Sequence, residues 1–133
     1  MASVKIDQAL IQHFLAGDFG IGVAHENLPY QPVIGEPYAE IIVLQNDITP
    51  LDFGHTNETD GIFRVILRYP SDTGAMDAKR KADEIFTHFK IGSQIEYETQ
   101  KLMIVRHDRA AGYSEQGWYK IVMTIGYRAF LAR

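Results

Sequence analysis

The sequence predicts an α+β fold: a mainly antiparallel mixed sheet with two helices packed on one face. Three observations lead there. Two segments carry apolar residues at helical spacing, several others alternate with period two, and the predicted order is α, β, β, β, α, β, β, β. The 133 residues, 46% hydrophobic, match the commonest size for one domain, taken as 1–133.

The first helix is expected over residues 4–16, with Ser3 as N-cap and Ile6, Leu10 and Phe14 forming one stripe. Ile11 and Leu15 lie off that stripe and widen the apolar arc, which makes them candidates for a subunit interface. Gly17 ends the helix. A short strand follows over 21–27, then a connector from Leu28 to Pro37 with three prolines, which excludes a helix interior or central strand. Tyr38–Gln45 reads as a strand rich in Ile and Val. Residues 46–60 have no period and many turn formers, so they are expected as a long functional loop.

Gly61–Tyr69 alternates clearly, with Phe63, Val65, Leu67 and Tyr69 on one side. The second helix is expected over 75–90, burying Ala75, Ala78, Ala82, Ile85, Phe86 and Phe89. Its outer side offers Asp77–Lys81, Lys79–Asp83 and Arg80–Glu84 at i,i+4 spacing. Gly92 is its stop signal. Ile95–Glu98 and Lys101–Arg106 are expected as short strands, Asp108–Gly117 as a polar loop, and Trp118–Phe130 as a final alternating strand.

Composition narrows the chemistry. The absence of cysteine excludes disulfides, thiolate nucleophiles and Cys-based zinc sites, and fits a reducing compartment. No apolar signal core is visible and apolar runs reach only about five residues, so no membrane partner is expected. A net charge of −4 disfavours nonspecific adhesion to nucleic acid.

Each candidate motif fails on its context. Asp72-Thr73-Gly74-Ala75 resembles the catalytic triplet of homodimeric retroviral-type aspartic proteases, with Asp72 as the catalytic candidate. Here the triplet runs directly into a helix, where Asp72 and Thr73 serve as helix starters. None of His13, His25, His55, His88 and His107 has zinc-protease spacing, so no metal site is expected. Gly17, Gly20 and Gly22 follow a helix and precede a strand, the reverse of a phosphate-binding loop. Trp118 and the seven tyrosines lack the basic run that a single-strand binder pairs with its aromatics.

Several features then recur together. They are the N-terminal helix, Glu26-Asn27-Leu28-Pro29-Tyr30-Gln31-Pro32, Glu36-Pro37-Tyr38 entering a strand, and Asp60-Gly61-Ile62-Phe63 opening another. With them come the helix from Ala78 to Phe89, Gly117-Trp118-Tyr119, and Ile125-Gly126-Tyr127-Arg128-Ala129. Across roughly residues 10–130, this combination resembles the tail terminator, or tail completion, proteins of long-tailed bacteriophages, related to the lambda tail terminator.

The resemblance implies a structural virion protein with no catalytic residue and no cofactor. It implies self-association into a hexameric ring on the last ring of the tail tube, built in the host cytoplasm. The ring would meet the tail tube protein on one side and a head completion or connector protein on the other. DNA would pass through its lumen without specific binding. The acids Asp47, Asp52, Glu58 and Asp60, in a stretch without Lys or Arg, are then the expected lumen or tube-docking loop. Another neck or tail-tube protein of the same virion is the neighbouring alternative.

Overall fold

The computed structural model describes residues 2–26, 28–33, 35–45, 49–50, 56–71 and 75–132. Helix α1 spans Ala2–Ala16. Ser3 therefore lies inside the first turn and is not its cap; the helix runs on to Ala2, a strong helix former. The chain leaves the helix through Asp18, whose φ of 48° is a left-handed exit that Asp tolerates.

Strand β1 (Gly22–His25) pairs in parallel with β2 (Tyr38–Gln45), Gly22 opposite Tyr38 and His25 opposite Ile41. Parallel neighbours need a crossover of a dozen or so residues, and here the proline-rich connector supplies it in place of a helix. The other described pairs are antiparallel. Among the described residues the sheet has eight strands, with β1-β2-β4-β8-β6-β5 as its main path.

The expected loop over 46–60 is partly strand. A short β3 (Thr49–Pro50) pairs with β4, which begins at Thr56 and runs to Pro70. Glu58 and Asp60 thus belong to β4, opposite Phe130 and Arg128 of β8 (Trp118–Ala132). Their polar surroundings hide the period-two signal, and the strand forms because β8 supplies a partner along its whole length.

Helix α2 spans Ala75–His88, two residues shorter than expected. Strands β5 (Gln94–Tyr97) and β6 (Gln100–Arg109) follow. The expected 108–117 loop contains β7 (Tyr113–Glu115). Two tight hairpins share one turn geometry: Glu98 and Thr99 have φ of 47° and 73°, Gln116 and Gly117 have 53° and 83°. Two consecutive left-handed residues between paired strand ends make the primed turn that suits strand twist.

Ile6, Leu10 and Phe14 from α1, Ala78, Ala82 and Ile85 from α2, and Phe89 just beyond it enter one buried cluster with Phe63, Val65, Leu67, Ile121, Met123 and Ile125 of the sheet. Burying a side chain of this size is worth roughly 1.5–3 kcal/mol, so this cluster dominates the fold's stability. Phe86 is half-buried and stacks on His107 at 4.4 Å instead of entering the cluster. On the surface of α2, the i,i+4 pairing is replaced by Arg80–Asp77 at 3.5 Å and Lys81–Glu84 at 2.8 Å. Lys81 also donates to the Phe19 carbonyl at 2.6 Å, which turns it from Asp77.

Candidate assembly surfaces

Strand register defines the side of the sheet that the core cluster does not use. Along β4, Arg64, Ile66 and Arg68 alternate with the buried Phe63, Val65 and Leu67. Leu44, Ile62, Gly126 and Arg106 align across β2, β4, β8 and β6. The next rows hold Ile42, Arg64, Thr124 and Asp108, then Glu40, Ile66 and Val122. Tyr38, Arg68, Lys120 and Tyr113 follow. The surface thus mixes aliphatic and aromatic side chains with cations and the acids Glu40 and Asp108, and Leu44, Arg106, Asp108 and Tyr113 on it are exposed.

At one end Tyr30 stacks on Tyr38 at 4.8 Å, and Tyr38 meets the edge of Trp118 at 5.2 Å. Arg68 lies over Tyr38 and donates to Glu40 at 2.8 Å. At the other end is a depression of about 350 Å³ with Leu44, Ile62, Val105, Arg106, Gly126 and Arg128 among its lining residues. A register shift in β6 between Ile104 and Arg106 makes it: Val105 is the extra residue and is pushed outward. Gly126 deepens the floor, and the Arg106 side chain lies across it, since a Cβ on Gly126 would be 2.7 Å from Arg106 Cγ. A second, smaller groove of about 160 Å³ lies between the end of α1 and β1, lined by Phe14, Leu15, Asp18, Phe19, Ile21 and Val23 among others.

The residues singled out from the sequence are scattered over this frame. Leu15 is 42% exposed beside the α1–β1 groove, whereas Ile11 is half-buried against the core cluster. Asp60 lines the depression on β4. Glu58 lies two residues earlier on the same strand, and Asp47, Asp52 and Asp72 fall outside the described residues. Among the described residues no three His, Asp or Glu side chains are grouped to hold a metal ion, and no helix is long and apolar enough to cross a membrane.

Sequence reading missed two features. His13 and His88 stack at 4.0 Å, and each ring donates from Nε2 to the other's backbone carbonyl, at 2.9 and 2.7 Å. This reciprocal clasp joins the C-terminal ends of α1 and α2, 75 positions apart in sequence. Burial, with the neighbouring His88 adding to it, holds the His13 pKa below its ordinary value. Tyr127 is buried with no hydrogen-bond partner for its hydroxyl, and desolvation pushes its pKa well up. Both residues sit at ordinary helix and strand positions, so only their long-range neighbours mark them.

The second surface of this α+β sheet carries aliphatic side chains together with paired cations and acids, among them Arg68–Glu40 and Arg106–Asp108. The sequence matches the phage tail terminator protein family over residues 5–127, and the chain belongs to that family. It is accordingly a structural protein of the virion tail and not an enzyme, which removes the protease reading of Asp72. Two solved structures share the fold. One chain superposes with a TM-score of 0.69 at 15% identity, covering 96% of this chain and 92% of its own. The other, from the virion of a native gene transfer agent (GTA) particle, has a TM-score of 0.62 at 16% identity, covering 100% and 98%. No curated protein matches the sequence.

Proposed function

We propose that this chain is one folded domain that closes into a hexameric ring on the end of the tail tube, stops tube growth and offers the surface to which the head joins. The observation that carries this is the family match over nearly the whole chain. Both helices lie on one face of the sheet in this reading, which leaves the other face for neighbouring subunits. Its partners are other copies of itself, the tail tube protein and a head completion or connector protein.

Leu15, exposed beside the α1–β1 groove, serves at a subunit contact, and Ile11 contributes what its half-buried side chain leaves accessible. The acids Asp47, Asp52, Glu58 and Asp60 rim the lumen or the tube-docking side. Six copies place about 24 carboxylates around one circle, where charges farther apart than the roughly 8 Å Debye length are screened from each other. Passing DNA phosphates meet a repulsive wall and do not adhere. Changing Asp47 and Asp52 to Lys then slows DNA passage or disturbs docking and leaves the fold intact.

The test is genetic and structural. Phage lacking this protein make heads and tubes that fail to join, with tubes of uncontrolled length in electron micrographs. Normal-length, joined tails in its absence would rule the role out. Density for the protein elsewhere along the particle would assign it instead to a neck or tube position.

A further inference from the structure

Arg64 stands in the middle of the second sheet surface. It lies on β4, third of the six strands on the main path, with Ile42 of β2 and Thr124 of β8 opposite it. Ile62 and Ile66 flank it on its own strand. All four neighbours are half-buried and uncharged. Three other cations of this surface are matched: Arg68 pairs with Glu40 at 2.8 Å, Arg106 with Asp108 at 3.2 Å and Lys120 with Glu115 at 3.2 Å. Among the described residues no carboxylate pairs with Arg64, and its Nε is buried without a hydrogen-bond partner.

That arrangement is costly. An arginine stem on an apolar surface ordinarily lies along its neighbours and keeps the guanidinium in water. Here burial reaches the first guanidinium nitrogen, so a cationic N–H has lost its water and gained nothing in return. A carboxylate brought to the guanidinium edge removes the cost, because it accepts from Nε and one Nη together, the strong bidentate form of the pair.

We propose that Arg64 anchors a docking surface for a different protein of the virion, which brings an Asp or Glu set among aliphatic side chains onto the middle of this sheet face. This rests on the reading above of a tail component that meets other proteins, and adds the chemistry by which one of them is held. The partner's aliphatic groups cover Ile42, Ile62 and Ile66, together with Leu44, which is 43% exposed on β2. Buried arginines ringed by apolar contacts are typical anchors of protein interfaces.

The placement argues against a second copy. Two copies laid face to face would set Arg64 against Arg64, while Glu40 and Asp108 are already held by Arg68 and Arg106. Head-to-tail contacts in a ring engage the two lateral sides of a subunit, and Arg64 lies away from both edges of the sheet. DNA fits less well than protein. A row of phosphates would find one free cation among aliphatic side chains, with Glu40 and Asp108 in the adjoining positions, and would leave the isoleucines uncovered.

The test changes Arg64 in the phage and in the purified chain. Arg64→Met keeps an unbranched apolar stem and removes the unpaired N–H, so the purified variant should melt at or above the wild-type temperature. In electron micrographs, phage carrying it should show heads joined to tails about tenfold less often. Arg64→Asp should be worse, and Arg64→Lys intermediate, because an ammonium keeps the charge without the planar fork. Revertants of Arg64→Asp should carry an Asp or Glu changed to Lys or Arg in another virion protein, which identifies the partner.

Normal joining by Arg64→Met overturns the proposal. So does a lowered melting temperature, which would mean that Arg64 is paired within the fold. Revertants at this chain's own acids, with weaker self-association of Arg64→Met in sedimentation velocity, would assign the surface to a second copy and overturn it. Weaker binding of Arg64→Met to a short DNA duplex, with joining intact, would overturn it in favour of nucleic acid. Joined tails of normal length in phage lacking the chain altogether are a separate result, and overturn the terminator reading itself.

Discussion

Gly61→Ala is expected to destabilise the protein by about 1–2 kcal/mol, although it adds one methyl group to a strand. Gly61 is buried on β4 between Gln45 of β2 and Tyr127 of β8. A Cβ there would fall inside contact distance of the Leu44 carbonyl oxygen and 2.8 Å from Tyr127 Oη. Neither neighbour can retreat. The carbonyl belongs to the β2–β4 backbone, and the tyrosine ring is fully buried. Overpacking a tight site costs roughly 1–3 kcal/mol. Loss of glycine's freedom in the unfolded chain returns about 0.4–1 kcal/mol, so destabilisation wins. At roughly 4 °C per kcal/mol for a chain of this size, Tm should fall by about 4–8 °C, read by calorimetry and by the urea midpoint. Gly126→Ala is the comparison, because its Cβ would meet Arg106 Cγ at 2.7 Å in an exposed side chain that can change rotamer, unlike the backbone carbonyl at Gly61; that variant should lose less, no more than about 1 kcal/mol. Equal stability of Gly61→Ala and wild type, or an equally large loss at Gly126, would refute the reasoning.

Three further outcomes are expected. Thr99→Gly should stabilise by about 1 kcal/mol, since a β-branched residue at φ 73° is strained and glycine is not; a drop in the urea midpoint would contradict this. Tyr127→Phe removes a buried hydroxyl that has no partner, so stability should hold or rise by up to about 1 kcal/mol, and a clear loss would mean that the hydroxyl is paired. Because the folded pKa of His13 lies below its unfolded value of about 6.5, the folded state binds the proton less readily than the unfolded chain. The clasp's contribution is therefore complete above about pH 6.5 and declines as pH falls towards the folded pKa, levelling off below it. Thermal melts should show this slope, and His13→Gln should flatten it. Asp7, whose folded pKa is raised mainly by burial, acts with the opposite sign and at lower pH.

The two helices, the strong strands and the proline connector were legible because each depends on a local pattern. Ile6, Leu10 and Phe14 repeat with a helical period, and Phe63 to Tyr69 alternate, whatever lies opposite them. The motifs around Asp60-Gly61 and Ile125–Ala129, taken together with the others, also sufficed to indicate the tail terminator family, which the match over residues 5–127 establishes. The tertiary structure alone decided the rest. The parallel placement of β1 beside β2 depends on where the connector returns the chain, and the early start of β4 depends on β8 being long enough to pair with it. The bulge at Val105 shifts alternation by one residue in a segment whose sequence reads as an unbroken strand. The clasp between His13 and His88 arises because folding brings distant residues together. Periodicity records which face of an element is apolar; it carries no information about which element that face will meet.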